Sequence, residues 1–176
     1  MVTPLPKCCP MGGACKLQRG VIKSRLSQKP YAFIALPYGE SFDDTESAIR
    51  IVLSGGRLFE QSYKVRKLHG KMIKPILARD TCFIGESTCK ICQLCWFADF
   101  GISELGGLNP NVMVEIGLLW GFGKRIIFTL NLNHTAIKQV PFDIGNQMMV
   151  PYHSVKRLGP ILDDKVKFLL LTWSKR

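Results

Sequence analysis

The stretch GGLNPNVMVEIGLLWGFGKRIIFTL, residues 106–130, constrains this chain more than any other. Asn109-Pro110 opens a helix, because Asn is a favoured N-cap and Pro at the first helical position gives up no hydrogen bond. Val112, Ile116 and Leu119 then recur on one side at helical spacing, and Gly121-Phe122-Gly123-Lys124 leads into RIIFTL, an apolar run of strand type. Inside that helix stands a carboxylate, Glu115, on the face of Asn111 four residues earlier. A carboxylate in apolar surroundings is costly unless it is paired or used.

The alternation of strand and helix repeats along the chain, which favours an α/β sheet over a helical bundle. Tyr31–Leu36 reads as a strand buried on both faces and stopped by Pro37. Asp43, Asp44, Thr45 and Glu46 begin a helix whose stripe is Ile49, Val52 and Leu53, and Gly55-Gly56 ends it. Pro75–Asp80 reads as a second strand, Glu86–Ala98 as a helix, Phe100–Leu105 as a third strand, Pro110–Gly121 as a helix and Arg125–Leu130 as a fourth strand. One helical turn at Phe142–Gln147, a strand at Met148–Tyr152 and a closing amphipathic helix at Leu158–Trp173 complete the pattern. The expected architecture is a mostly parallel sheet of about five strands flanked by helices, in a domain at 29–176 preceded by an arm at 1–28 rich in Cys, Pro and Gly.

The excess of 24 Lys and Arg over 13 Asp and Glu gives a net charge of +11, a surface suited to phosphorylated small molecules or polyanions. Seven of the basic residues lie at 57–79 opposite one acid, Glu60, and read as a solvated face. Nucleic acid is a possible partner but not the favoured one, since neither an aromatic-interleaved RNA-binding signature nor zinc-finger spacing accompanies the charge. No apolar run has the length of a membrane span, and Met1–Pro6 lacks the apolar core of a signal peptide, so a cytoplasmic protein is expected.

In parallel sheets, ligands bind beyond the carboxyl ends of the strands. That rule selects Pro37, Tyr38 and Gly39 after the first strand, Arg79 and Asp80 after the second, 104–111 after the third and 131–133 after the fourth. Capping by Asn109 and the early helix amides suggest a place for an anion or a sugar hydroxyl.

The ordered series YAFIALPYGESFDD, ILARD, ADFGISELGGLNPNVMVEIGLLWGFGK and VPFDIGNQMMVPY resembles the nucleoside 2-deoxyribosyltransferase-like and TIR-like superfamily from about Tyr31 to Tyr152. The resemblance implies a flavodoxin-like fold and, in enzymatic members, cleavage or transfer of an N-glycosidic bond in a nucleoside, nucleotide or NAD-like substrate. Glu115 matches the family's catalytic glutamate, as nucleophile or as stabiliser of an oxocarbenium-like centre. Asp80 and Asp99, at or near strand ends, would bind sugar hydroxyls or assist a leaving base, with capping of the third strand the alternative for Asp99. With Pro37, Tyr38, Gly39, Arg79, Asn109 and Asn111 they form the expected substrate site, which a neighbouring subunit completes in the resembling transferases, so a homo-oligomer is expected. Glu104 departs from the pattern, where an Asp usually follows the third strand, and Leu58–Lys74 has no counterpart. Non-catalytic nucleotide sensors share such folds, so a binding module in which Glu115 only grips a ribose hydroxyl stands beside the enzyme.

The cysteines are Cys8, Cys9, Cys15, Cys82, Cys89, Cys92 and Cys95. Cys9 and Cys15 of the arm with Cys89 and Cys92 of the second helix would supply four thiolates for zinc or an iron–sulfur cluster. Reduced, packed thiols are the alternative. No organic cofactor is indicated.

Overall fold

The structure is a computed structural model that describes residues 30–68, 70–80, 87–145 and 147–173. Its elements in chain order are β1 (Tyr31–Ala35), α1 (Asp43–Ser54), β2 (Gly56–Leu58), β3 (Gln61–Tyr63), β4 (Lys67–Leu68), β5 (Lys71–Met72) and β6 (Lys74–Ile76). They continue with α2 (Ser87–Phe97), β7 (Phe100–Glu104), α3 (Pro110–Gly121), β8 (Arg125–Asn131), α4 (Phe142–Gly145), β9 (Met149–Tyr152) and α5 (Val155–Trp173). Five strands form one sheet in the order β6-β1-β7-β8-β9, with every pairing parallel. This is the flavodoxin-like order, with the chain reversing direction across the sheet after β6.

Alternation along β1 divides the core into two layers. Ala32 and Ile34 pack with Ile49, Val52 and Leu53 of α1 and with Leu158, Leu162 and Val166 of α5. Tyr31, Phe33 and Ala35 pack on the other face with Leu94 of α2 and with Val112, Ile116 and Leu119 of α3. Both faces are covered, so all of β1 is buried and its sequence is apolar throughout. Gly101 lets α3 lie close to the sheet, since a Cβ there would stand 2.5 Å from Leu119 Cδ1.

The differences from expectation have local causes. Strand β6 stops at Ile76 and Ala78–Asp80 forms a 3-10 turn, because Asp80 Oδ2 accepts the Leu77 amide at 2.9 Å and Asp80 N donates to Leu77 O at 3.1 Å. The basic segment holds two short antiparallel hairpins, β2 with β3 and β4 with β5. Helix α5 starts at Val155 instead of Leu158, with Ser154 O accepting the amides of Arg157 and Leu158, and it runs on through Pro160. The arm at 1–28 and Glu86 lie outside the described residues. Among the described residues no helix is long and apolar enough to cross a membrane.

Candidate functional site

Three segments meet at the carboxyl ends of the strands. After β1, Pro37 is buried, Tyr38 projects 59% exposed, and Gly39 takes a φ of +134° that a side chain would strain. After β6, Arg79 lies over the Tyr38 ring, 5.7 Å from its centroid, and pairs with Glu46. Helix α3 starts with Asn109 Oδ1 accepting the Asn111 amide at 2.9 Å and Pro110 in its first turn. Tyr38 reports the assembly electrostatically. Its phenol is raised by burial and then by the field of Glu115, which Arg79 opposes and Asp80 reinforces. Tyr38, Arg79, Asp80 and Glu115 therefore share one neighbourhood.

Glu115 is 7% exposed, and its carboxyl has no ion pair or hydrogen bond among the described residues. It is not a surface carboxylate satisfied by one of the many basic side chains. Burial pushes its pKa from 4.5 up to about 7. Val112, Ile116 and Leu119 take the sheet side of α3 as the helical spacing requires, and all are buried. Cys95 Sγ lies 4.0 Å from the Glu115 carbonyl oxygen. Its thiol is raised by burial first and then by Glu115, so it is held as an unreactive thiol.

The other anticipated residues divide. Both Asp80 carboxylate oxygens take Arg50 Nη2, at 2.8 and 2.7 Å, while Arg50 Nε donates to Glu46 at 2.8 Å. Asp80, Arg50, Glu46 and Arg79 thus form a chain of alternating charge that holds Arg79 beside Tyr38. Asp99 is not brought to this site. It lies at the amino ends of β1 and β7, where its Oδ2 accepts the Tyr31 amide at 2.8 Å and its own amide donates to Tyr31 O at 3.0 Å. That is the strand-capping role. Asn111 is exposed in the first turn of α3. The loop amides expected to face a ligand are occupied within the fold: Gly106 N donates to Glu104 Oε1, Gly107 N to Thr135 Oγ1, and Asn111 N to Asn109.

Of the four thiolates considered for a metal, Cys9, Cys15 and the side chain of Cys89 lie outside the described residues, and Cys92 is buried. Among the described residues no group of three or more His, Cys, Asp or Glu is placed to hold a metal ion.

The feature that sequence reasoning missed is the environment of Glu104, which is fully buried. Its Oε1 accepts the amides of Gly106 at 2.8 Å and Asn131 at 2.9 Å, while Oε2 accepts Thr129 Oγ1 at 2.6 Å and the Tyr152 hydroxyl at 2.9 Å. Tyr152 also shares a hydrogen bond with Thr45 Oγ1 at 2.8 Å, and its phenol is raised by burial and then by Glu104. One carboxylate thus joins the carboxyl ends of β7, β8 and β9, and through Tyr152 reaches α1. The available signal was Glu at the end of the third strand, where the resembling family commonly has the shorter Asp.

No family model and no curated protein matches the sequence. Among solved structures, the chain is similar to that of the Clostridium botulinum CMP N-glycosidase BcmB, with 19% identity over 76% of this chain and 98% of that one and a TM-score of 0.46. A likeness that distant carries no argument about chemistry.

Proposed function

We propose that this chain cleaves or transfers the N-glycosidic bond of a nucleoside, nucleotide or NAD-like substrate, with Glu115 facing the anomeric carbon. The observation that carries this reading is a desolvated carboxyl, without a counter-ion among the described residues, at the carboxyl ends of a parallel sheet. Such a group is held above its ordinary energy until positive charge appears nearby. Departure of a base from C1′ creates that charge, and the Glu115 carboxylate either stabilises the oxocarbenium-like centre or bonds to C1′ until water or an acceptor displaces it. The exposed Tyr38 ring offers a face for a base, and Arg79 a cation for a phosphate. A homo-oligomer in the cytoplasm belongs to the same reading.

The test is incubation of the purified chain with NAD and a panel of nucleosides and nucleoside monophosphates, followed by measurement of free base. If Glu115 acts as a carboxylate, kcat/KM rises with pH as its proton leaves, with an apparent pKa of about 7, and levels off above it. Binding without release would assign the chain to sensing, with Glu115 holding a ribose hydroxyl.

A thiolate metal site is proposed separately, with Cys9, Cys15, Cys89 and Cys92 as its ligands. Elemental analysis of protein purified without oxygen should find zinc at about one equivalent, or iron at about two or four equivalents as a cluster requires, lost in Cys92→Ser. Folded, metal-free protein would end that proposal.

A further inference from the structure

A concavity lies at the opposite end of the sheet from Glu115. A cleft of about 430 Å³ opens at the amino ends of β8 and β9, between the end of α3 and the last turns of α5. That volume falls within the roughly 300–1,000 Å³ of small-molecule sites. Ile126, Met148 and Leu169 give it an apolar lining, and Trp120, Phe168, Lys124 and Arg125 are among the residues around them.

The two cations differ in what they have left to offer. Arg125 is partly engaged, with Nη1 donating to Thr172 Oγ1 at 2.8 Å and its guanidinium 5.5 Å from the Trp173 ring centroid. Lys124 is half-buried, and among the described residues its ammonium has neither a salt bridge nor a hydrogen bond. Burial lowers its pKa, and the field of Asp99 opposes that shift. A partly desolvated ammonium gains more from an anion than one in open water does.

The two rings stand open beside it. Trp120 is 38% exposed and is braced edge-on against Phe128, 5.8 Å between centroids, while Phe168 is 56% exposed on α5. A lone exposed ring needs no explanation. Two rings lining one cleft with a cation are a different matter, because they supply both halves of a recognition site for a charged aromatic molecule. An inorganic anion would use Lys124 and leave both rings wet, and a neutral ring would bring the Lys124 ammonium no hydrogen-bond acceptor.

We propose that this cleft is a second binding site, specific for a small aromatic anion whose ring packs on Trp120 and Phe168 and whose charged group meets Lys124. The site is independent of Glu115 and of any reaction there.

Calorimetry with 1-naphthyl phosphate, inorganic phosphate and 1-naphthol tests it. The wild-type chain should take one equivalent of 1-naphthyl phosphate at least about ten-fold more tightly than either half-molecule. Phe168→Ala and Lys124→Gln should each weaken it by about ten-fold or more, in line with removing an aromatic or charged anchor. Glu115→Gln should leave the affinity unchanged. Phe168 is exposed, so its truncation probes the ring without burdening the fold; circular dichroism of both variants checks this. No binding to the wild type at millimolar probe, unchanged affinity in either folded cleft variant, or loss in Glu115→Gln would overturn the proposal. Base release in the assay above bears only on Glu115, so the two readings fail separately.

Discussion

Replacing Glu115 with Gln is expected to raise stability at pH 8 and to remove turnover. The folded-state pKa of about 7 lies above the ordinary 4.5, so the folded chain holds this proton more tightly than the unfolded chain does. Between those values the native state binds more protons, and stability falls as pH rises. Above about 7 the wild type carries the whole cost, on the order of 3 kcal/mol at about 1.4 kcal/mol per pH unit. A neutral Gln of the same shape avoids the charge at every pH. Below pH 4.5 the two proteins should melt together, and the difference should open between pH 5 and 7. At pH 8 the variant should melt on the order of 5–10 °C higher. Base release should fall by about 10²-fold or more, since the group that answers the developing positive charge is gone. Thermal melts across this pH range decide the first half. A variant less stable at pH 8, or a difference that ignores pH, would mean that Glu115 is paired in the ground state and not poised for a substrate.

Such opposition between stability and function separates this carboxylate from Asp80 and Glu104, whose oxygens are already committed to protein donors. It also marks what could be read from the sequence. Apolar patterning located the strands of the main sheet and the buried stripe of α3, most clearly β1 and β8, where burial on both faces leaves a nearly continuous apolar signature. The Asn109-Pro110 start was legible because capping is local. Side-chain partnership across the sheet was not. Asp80 and Arg50 are 30 residues apart, and Glu104 and Tyr152 48 apart, so no window of sequence contains both members. Asp99 sits within one residue of β7 but at its amino end, and only the direction of the strand separates a capping carboxylate from a ligand-facing one. The amino-end cleft joins α3, β8, β9 and α5, and had no local pattern to announce it.

Glu104→Ala is expected to be the most destabilising single change at the strand ends, because it deprives four donors at once. Two are the backbone amides of Gly106 and Asn131, and two are the hydroxyls of Thr129 and Tyr152. Glu104 is fully enclosed, so water cannot replace the carboxylate without opening the junction. Hydrogen bonds to a charged group contribute about 1.5–3 kcal/mol each, and partial relaxation leaves an expected loss of about 4 kcal/mol for the site. Glu104→Gln should cost far less, about 1–2 kcal/mol. Its carbonyl oxygen can keep the two amides, and its NH2 can face the two hydroxyls, which reverse their roles from donor to acceptor. Glu104→Asp keeps the charge but withdraws it by one methylene from donors fixed by three strands, and should fall between the two. Urea unfolding of the three variants measures the order Gln, Asp, Ala in increasing loss. Asp indistinguishable from wild type would show that the junction follows the carboxylate. The expected order instead makes the position of the loop before α3, and hence of the helix carrying Glu115, depend on the length of one buried side chain.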